Sequence, residues 1–487
     1  MAEAILVIDE GTTSTRAMLF GPDGRCLGSE QAELRQHYPR PGWVEHDAEE
    51  IWARSLACAR SVVAKAGGPD RIAGIGITNQ RETIVFWSRK SGRALAPAIV
   101  WQDRRTADLC ARLKDKGEEK ALQERTGLLL DPYFSGSKIA WAMTEWPELR
   151  AAGDDLCIGT VESWLVFRLT GGLHLSDATN ASRTALMDLR TGLWDSALLD
   201  LFDVPSRALP EIVDCAGRFG ETSPEWFGAP IPISGLAGDQ QAAAIGQACL
   251  SEGETKATYG TGAFVLTHTG RNAPVSRHRL LSTVAWRLGG EMAFALEGSI
   301  FVAGSLIKWL RDALGLIVSA RETEQMARSI PDSGGAYIVP ALAGLGAPHW
   351  VPEARAAISG LSFATGRAEI VRAALEAMAH QTHDLMTAFA ADGAPWQRLR
   401  IDGGMSANDW LAQDLADMLG LEVERPAFVE TTALGAAMLA GLGCGLFGSL
   451  DDAAAMRGGV ARFSPDMIDE IRQARLAGWR RAVATVL

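Results

Sequence analysis

The sequence predicts an α/β protein in which two similar domains face each other across a central cleft. Three observations carry that reading. The chain has 487 residues, more than the roughly 250–300 at which a single hydrophobic core stops growing. Its opening spells strand, polar turn, strand, a further strand and then an amphipathic helix. From Lys256 the same programme restarts, because Lys256-Ala257-Thr258-Tyr259-Gly260-Thr261-Gly262-Ala263-Phe264-Val265-Leu266 is again strand, glycine-hydroxyl turn and strand. The repeat lies in the pattern and not in the letters. It divides the chain near Ile245, into residues 1–245 and 246–487.

The first element is the segment from Ile5 to Phe20, ILVIDEGTTSTRAMLF. It stops at Asp9 and Glu10, turns through Gly11, Thr12, Thr13, Ser14 and Thr15, and resumes as Ala17-Met18-Leu19-Phe20. A hairpin needs fewer turn residues than this. The surplus sets a row of hydroxyls and N–H groups beside a carboxylate, as a phosphate and its metal would require. A plain polar turn is the competing reading. Residues 26–34 supply a third strand, and Asp47-Ala48-Glu49-Glu50 has the spacing of a capping box. Ile51, Trp52, Leu56, Val62 and Val63 then follow helical periodicity until Gly67-Gly68. Strands are expected at 72–77, 84–87 and 98–101. In the second half a third strand is expected near 281–286 and a helix near 301–314. No low-complexity linker separates the halves, which predicts direct contact and hinge closure.

Composition excludes several classes. Hydrophobic residues at 47% and charged residues at 22% describe an ordinary globular chain. A formal charge of −12 argues against nucleic acid or an anionic membrane as partner and leaves any anionic ligand to local groups. Seven cysteines without a C-x-x-C pair fit a reducing, cytoplasmic setting and no structural zinc. The start of the chain shows no secretory pattern. The apolar stretch 433–448 is glycine-rich and shorter than the roughly 20 residues that span a bilayer, so it reads as a tightly packed internal helix, with no membrane insertion. His380 and His383 share a helix face without a third ligand nearby.

Three sets of residues carry chemistry. Ile233-Ser234-Gly235-Leu236-Ala237-Gly238-Asp239-Gln240-Gln241-Ala242 runs a strand through a glycine loop and places Asp239 where a helix begins, either as its cap or as a base for a substrate hydroxyl. Leu399-Arg400-Ile401-Asp402 ends in Gly403-Gly404, where a backbone can approach a flat ring or a phosphate or merely reverse direction. Polar stretches at 78–83, 100–105 and 131–138 complete the set. Arg81 and Glu82 offer donors and acceptors together, which suits neighbouring hydroxyls, and Trp101 and Phe264 can cover the C–H face of a small polyol. Surface ion pairs and core aromatics are the plainer readings. No Walker loop occurs in the glycine-rich regions and no G-x-G-x-x-G opens the chain, which disfavours P-loop NTPases and dinucleotide dehydrogenases.

DEGTTSTRA, PGWVEHDAEEIW, GITNQRET, VWQDRRT, DPYFSGSK, DATNASRT, ISGLAGDQQAA, TYGTG, GLGAPHW, IDGGMSAN and TTALGAA, in that order, resemble the carbohydrate kinase (FGGY) family over nearly the whole chain. The resemblance implies two ribonuclease-H-like domains, of the actin and hexokinase kind, around a central cleft. It implies ATP-dependent phosphorylation of glycerol at a terminal hydroxyl, with erythritol or a pentulose as the alternative substrate, by a homodimer or homotetramer. It places polyol binding at Arg81, Glu82, Trp101, Tyr133, Asp239, Gln240 and Phe264. Nucleotide binding falls at Thr12, Thr13, Ser14, Arg16, Thr261, Gly304, Lys308, Gly404 and Asn408. Asp9 and Asp239 attend Mg2+, and Asp239 is also the catalytic base. The first half would thus hold the polyol and the second the adenosine.

Two positions depart from the family. Glu10 and Lys308 each stand where the family usually has Gln, so Glu10 is expected to set an extra negative charge beside the phosphate turn, repelling ATP unless magnesium or Arg16 offsets it. The Gly-Gly-Thr-Arg loop through which some bacterial relatives bind fructose 1,6-bisphosphate is not visible between Phe219 and Ile231, so that regulation is not expected. An actin-like or chaperone ATPase, and a catalytically idle sensor supported by Glu10, are the rival readings.

Overall fold

The structure, a computed structural model, describes residues 3–351 and 353–487. Two mixed sheets organise it. In the first, the spatial order is Ala216–Glu221, Pro232–Gly238, Ile72–Asn79, Ala4–Glu10, Ser14–Phe20 and Cys26–Glu33. Ala4–Glu10, Ile72–Asn79 and Pro232–Gly238 run parallel, while the opening hairpin and its third strand are antiparallel. Ala4 through Ile8 are all buried, as expected of a central strand covered on both faces, whereas the edge strand Cys26–Glu33 alternates between exposed and half-buried residues.

The second sheet repeats the scheme with Glu254–Tyr259, Ala263–His268 and Glu291–Ile300 as its antiparallel trio, and Arg398–Asp402 and Val423–Pro426 parallel to the first of them. Here the structure corrects the sequence reading. The third strand of the trio is Glu291–Ile300, and Leu281–Leu288 is an additional strand outside it. The counterpart of the first half's helix Ala48–Lys65 is the long helix Arg367–Ala391, not the shorter Gly304–Asp312. Interposed hairpins and helices displace the repeat by tens of residues, and local periodicity does not see across an insertion.

Helix Ala48–Lys65 begins where expected, with the Asp47 side chain accepting the Glu49 N–H at 2.9 Å. It stops before Gly67 and Gly68, whose φ values of +92° and +116° leave the helical region. Strands Ile84–Ser88 and Ala98–Ile99 belong to a separate four-stranded sheet with Glu45–His46 and Leu156–Thr160. The strand expected to reach Trp101 ends at Ile99, and Trp101 lies in the turn that follows.

Two helices join the halves. Asp239–Gly246 follows the last parallel strand of the first sheet, and Thr431–Gly443 follows the last parallel strand of the second. They cross at glycines: a Cβ on Gly435 would strike the Ala242 carbonyl, and one on Gly246 the Thr431 carbonyl. Thr431–Gly443 is apolar nearly all round and buried accordingly. It lies on the first half's sheet, where Ala433, Leu434, Ala437 and Met438 share one core with Ile5, Val7, Met18 and Phe20. Gly76 of that sheet meets the Ala436 carbonyl directly. This is the internal helix expected from 433–448, and it ends at Gly443. Among the described residues no helix is long and apolar enough to cross a membrane.

Candidate active site

The parallel strands of both sheets end at one cleft, and the residues beyond their carboxyl ends meet there, the usual place for a ligand in such sheets. After Ile72–Asn79 come Arg81 and Glu82, both almost fully buried. Glu82 adopts φ +56°, a conformation that costs a non-glycine residue about 1–3 kcal/mol and persists where surroundings impose it. Arg81 Nε lies 3.1 Å from Asp239 Oδ1, and its Nη1 donates to Glu297 Oε2 at 2.6 Å. Asp239 opens helix Asp239–Gly246. Its Oδ1 also accepts the Gln240 N–H at 2.7 Å, and the preceding Gly238 N–H is fixed by Thr179 Oγ1 at 2.8 Å.

Three rings stand over this polar floor. Trp101 packs edge-on against Tyr133 and Phe264, with centroids 5.6 and 6.3 Å away. Its indole N–H donates to Thr12 Oγ1 at 2.9 Å, tying the aromatic wall to the opening turn. Tyr133 is carried on a loop whose carbonyls at Pro132, Tyr133 and Phe134 accept from the buried Lys138 ammonium at 2.7, 2.5 and 3.3 Å. Burial brings that ammonium down to about 8, opposed by Glu82, Asp103 and Asp131. Gln240 Oε1 accepts from Lys256, which reaches it from the second sheet. An ammonium only donates, so the carboxamide must face it with its oxygen and keep its NH2 for other partners. All seven predicted polyol residues therefore lie in one group.

The predicted nucleotide residues form the adjoining group. Thr12, Thr13 and Ser14 make the tight turn closed by Gly11 N–H to Ser14 carbonyl at 3.0 Å. Thr261 is exposed in the second hairpin's turn, and its carbonyl accepts the N–H groups of Ala303 and Ser305 at 2.9 and 3.1 Å, so it is joined to the start of helix Gly304–Asp312. Gly304 lies at that start and Lys308 is exposed one turn on. Gly403 has φ +84° and a Cβ there would meet the Tyr259 carbonyl at 2.5 Å, so the turn itself demands glycine. Gly404 is different. A Cβ on it would find nothing within 4 Å, so its smallness leaves open space. Asn408 caps helix Asp409–Leu419 through Leu411 N–H at 3.0 Å and donates to Thr323 Oγ1 at 3.2 Å.

Asp9 and Glu10 part company, because successive strand residues face opposite ways. Asp9 faces the cleft, where burial, opposed by Arg16 and aided by Glu430 and Asp239, lifts its carboxyl to about 6. Glu10 does not stand beside the phosphate turn. It is buried under helix Ala48–Lys65, with Oε2 accepting Ser55 Oγ at 2.7 Å, and burial lifts it to about 8 against the hydrogen bonds from Thr15 and Ser55. Turned away from the cleft, in a setting that favours the neutral acid, it does not set the expected extra charge against ATP. Nor does Arg16 answer Glu10; it pairs across the cleft with Glu430.

Four participants escaped sequence reasoning: Arg183, Lys256, Glu297 and Glu430. Arg183 was hidden inside DATNASRT, a segment otherwise read only as resemblance. Glu297 is a charged residue inside an apolar strand, with no exposure at all, and that interruption of the pattern was the signal available; Lys256 is equally buried but stands in the polar stretch ETKATY, which gives no such signal.

Residues 4–246 match the N-terminal domain, and residues 255–444 the C-terminal domain, of the FGGY family of carbohydrate kinases. A protein named glycerol kinase from Methylobacterium nodulans is 53% identical over 100% of this chain and 99% of its own length. Another of that name from Gluconobacter oxydans is 54% identical over 100% and 96%. The crystal structure of Plasmodium falciparum glycerol kinase with ADP superposes with a TM-score of 0.94 at 37% identity, covering 99% of this chain and 98% of that one. A xylulose kinase from Lactobacillus acidophilus shares the fold at 20% identity, with a TM-score of 0.90. Matched in both halves and across its full length by such relatives, this chain belongs to the FGGY family of carbohydrate kinases.

Proposed function

We propose that the protein transfers the γ-phosphoryl group of ATP to a terminal hydroxyl of glycerol, giving glycerol 3-phosphate. The observation that carries this is the buried Arg81–Glu82 pair lying beside Asp239 under the Trp101, Tyr133 and Phe264 rings. Donor, acceptor and base then adjoin beside a wall of rings, a combination that suits a short polyol. The glycerol kinase name of relatives matching the whole chain, and the ADP-bound state of one solved relative, support the same reading. In this division of labour the polyol is held by residues 1–245 with Phe264 from the second half, and adenosine by residues 246–487. Thr12, Thr13, Ser14 and Arg16 would flank the phosphates. Thr261, Gly304, Lys308, Gly404 and Asn408 would hold the rest of the nucleotide.

Asp239 Oδ1 is occupied by Arg81 and by the Gln240 N–H, which leaves Oδ2 to accept the hydroxyl proton. A positioned base of this kind is typically worth about 10²–10⁴ in rate. Closure of the halves would exclude water and set the hydroxyl in line with the γ-phosphate, since positioning and charge stabilisation carry most of phosphoryl transfer. Among the described residues no three acidic, His or Cys side chains converge to hold a metal by themselves, so Mg2+ would be held by Asp9, which feels the charge of Glu430 and Asp239, together with phosphate oxygens, as is common for this ion. When bound, the ion would neutralise charge on the terminal phosphates.

A panel of polyols with MgATP, followed by ADP release and product identification, tests the function. Glycerol is expected to give glycerol 3-phosphate. Preference for erythritol or a pentulose would replace the substrate, and ADP release indifferent to polyol would favour an actin-like ATPase. The seven free thiols support a cytoplasmic setting, and we infer a homodimer or homotetramer, which sedimentation would check.

A further inference from the structure

Arg81 and Glu82, the two residues proposed to grip the polyol, belong to a closed ring of buried charges. Arg183 Nε donates to Glu82 Oε1 at 2.7 Å and its Nη2 to Glu297 Oε1 at 2.8 Å. Glu297 uses its other oxygen, Oε2, on Arg81 Nη1 at 2.6 Å. Arg81 Nε returns toward Glu82 Oε1 at 3.9 Å and toward Asp239 Oδ1 at 3.1 Å. Glu297 and Arg183 have no exposure, and Arg81 and Glu82 almost none. Three of the four come from the first half. Glu297 comes from strand Glu291–Ile300 of the second.

A ring of this kind is a poor device for stability alone, since apolar residues of similar volume commonly replace buried ion pairs without loss. Its effect on the neighbouring groups is more specific. Glu297 and Asp239 occupy Nη1 and Nε of Arg81, so Nη2 is the guanidinium nitrogen left for a ligand. Arg183 occupies Oε1 of Glu82, so Oε2 is the carboxylate oxygen left. The ring and Asp239 thus leave these two many-handed side chains one donor nitrogen and one acceptor oxygen at adjacent positions. That is what two neighbouring hydroxyls of a short polyol demand. The Arg183 guanidinium also lies over the rings of Phe134 and Tyr133, at 5.4 and 5.8 Å, so the same cation steadies the aromatic wall.

We propose that Glu297 and Arg183 are positioning residues that set polyol specificity, by fixing which atoms of Arg81 and Glu82 face the substrate. Because Glu297 arrives from the second half, the polyol site is completed only when the two halves are in contact. The proposal deepens the glycerol reading above and rests on it.

Steady-state kinetics of Glu297→Gln, Glu297→Asp and Arg183→Lys, with glycerol and 1,3-propanediol as acceptors and MgATP as donor, test it. Glu297→Gln and Arg183→Lys are expected to raise the glycerol KM about tenfold or more. They should also cut the preference for glycerol over the analogue lacking the middle hydroxyl by a similar factor, since hydroxyl-reading sites discriminate strongly only while their polar groups are correctly held. The ATP KM should stay within about twofold, because the nucleotide contacts are separate, and Glu297→Asp should recover part of the loss. Lysine keeps the charge of Arg183 but not the fork that bridges two carboxylates. A glycerol KM and preference unchanged in the folded variants overturn the proposal, as does an equal rise in the ATP KM. If Glu297→Gln does not fold, the other two variants decide; failure of all three to unfold cooperatively or to bind ADP makes the ring structural and also overturns it. If the wild type phosphorylates another polyol and not glycerol, the proposed function falls alone, and the variants are read on that polyol and its deoxy analogue.

Discussion

The first strand of each half ends in the same way and to different effect. In the first half Glu10 turns away from the cleft and meets Ser55 on helix Ala48–Lys65 at 2.7 Å; in the second Tyr259 turns away and meets Thr382 on helix Arg367–Ala391 at 2.8 Å. The residue before it faces the cleft: Asp9 in one case, Thr258 in the other. After the fourth strand of each trio-plus-parallel scheme the first half presents Arg81 and Glu82, where the second presents Gly403 and Gly404. Both inward ends meet a hydroxyl of the covering helix. The cleft-facing ends are free to specialise, one as a charged grip and the other as bare backbone against which a flat ring can lie.

The comparison is most severely tested at Asp239, the first-half carboxylate proposed as the base. Asp239→Asn should lower kcat by about 10²–10⁴ while ADP affinity, proposed to rest mainly on the other half, stays unchanged. Comparable losses of both would erase the division. The next largest effect belongs to Glu10. Its carboxyl is raised from 4.5 to about 8 on folding, so the stability it allows is full below 4.5 and is lost as pH rises through 8, by at most about 1.4 kcal/mol per pH unit. Glu10→Gln keeps the shape without the titration. It should match wild type in thermal unfolding at pH 5 and exceed it at pH 9, with the ATP KM unaltered; a tighter ATP KM in the variant would restore the repulsion argument.

Gly404→Val probes the bare side. Open space around that position predicts normal folding with an ATP KM raised about tenfold, roughly 1.4 kcal/mol, and an unchanged glycerol KM. Loss of folding would show that Gly404, like Gly403, serves its own turn. The smallest effect is expected from Glu430→Gln, which breaks a cross-cleft pair with Arg16 whose side chains are 32% and 41% exposed. Pairs this open contribute about 0–1 kcal/mol, so thermal unfolding should move little and should lose even that difference in high salt.

The residues proposed to touch a ligand were legible because each breaks a local rule: hydroxyls crowding a turn, an acid after a glycine loop, paired glycines ending a strand. Their assembly was not legible, since it depends on which strands lie side by side. Glu297 lies 216 positions from Arg81 and 114 from Arg183, the residues it orients. Glu10 shows the limit from the other direction. Sequence supplied its charge, but the two-residue period of the strand decided that it would be turned inward, where the neutral acid is favoured, while Asp9 beside it kept the cleft.

Helix Thr431–Gly443 has a consequence for synthesis. It is made nearly last, yet it is the lid on a sheet whose first strand emerges at Ala4. Until it arrives, Ile5, Val7, Met18 and Phe20 have no roof. A nascent polypeptide halted anywhere before that point would therefore expose a greasy plane on the ribosome, and a fragment cut between the halves should precipitate or recruit chaperones, whereas co-expressing the missing piece should rescue it.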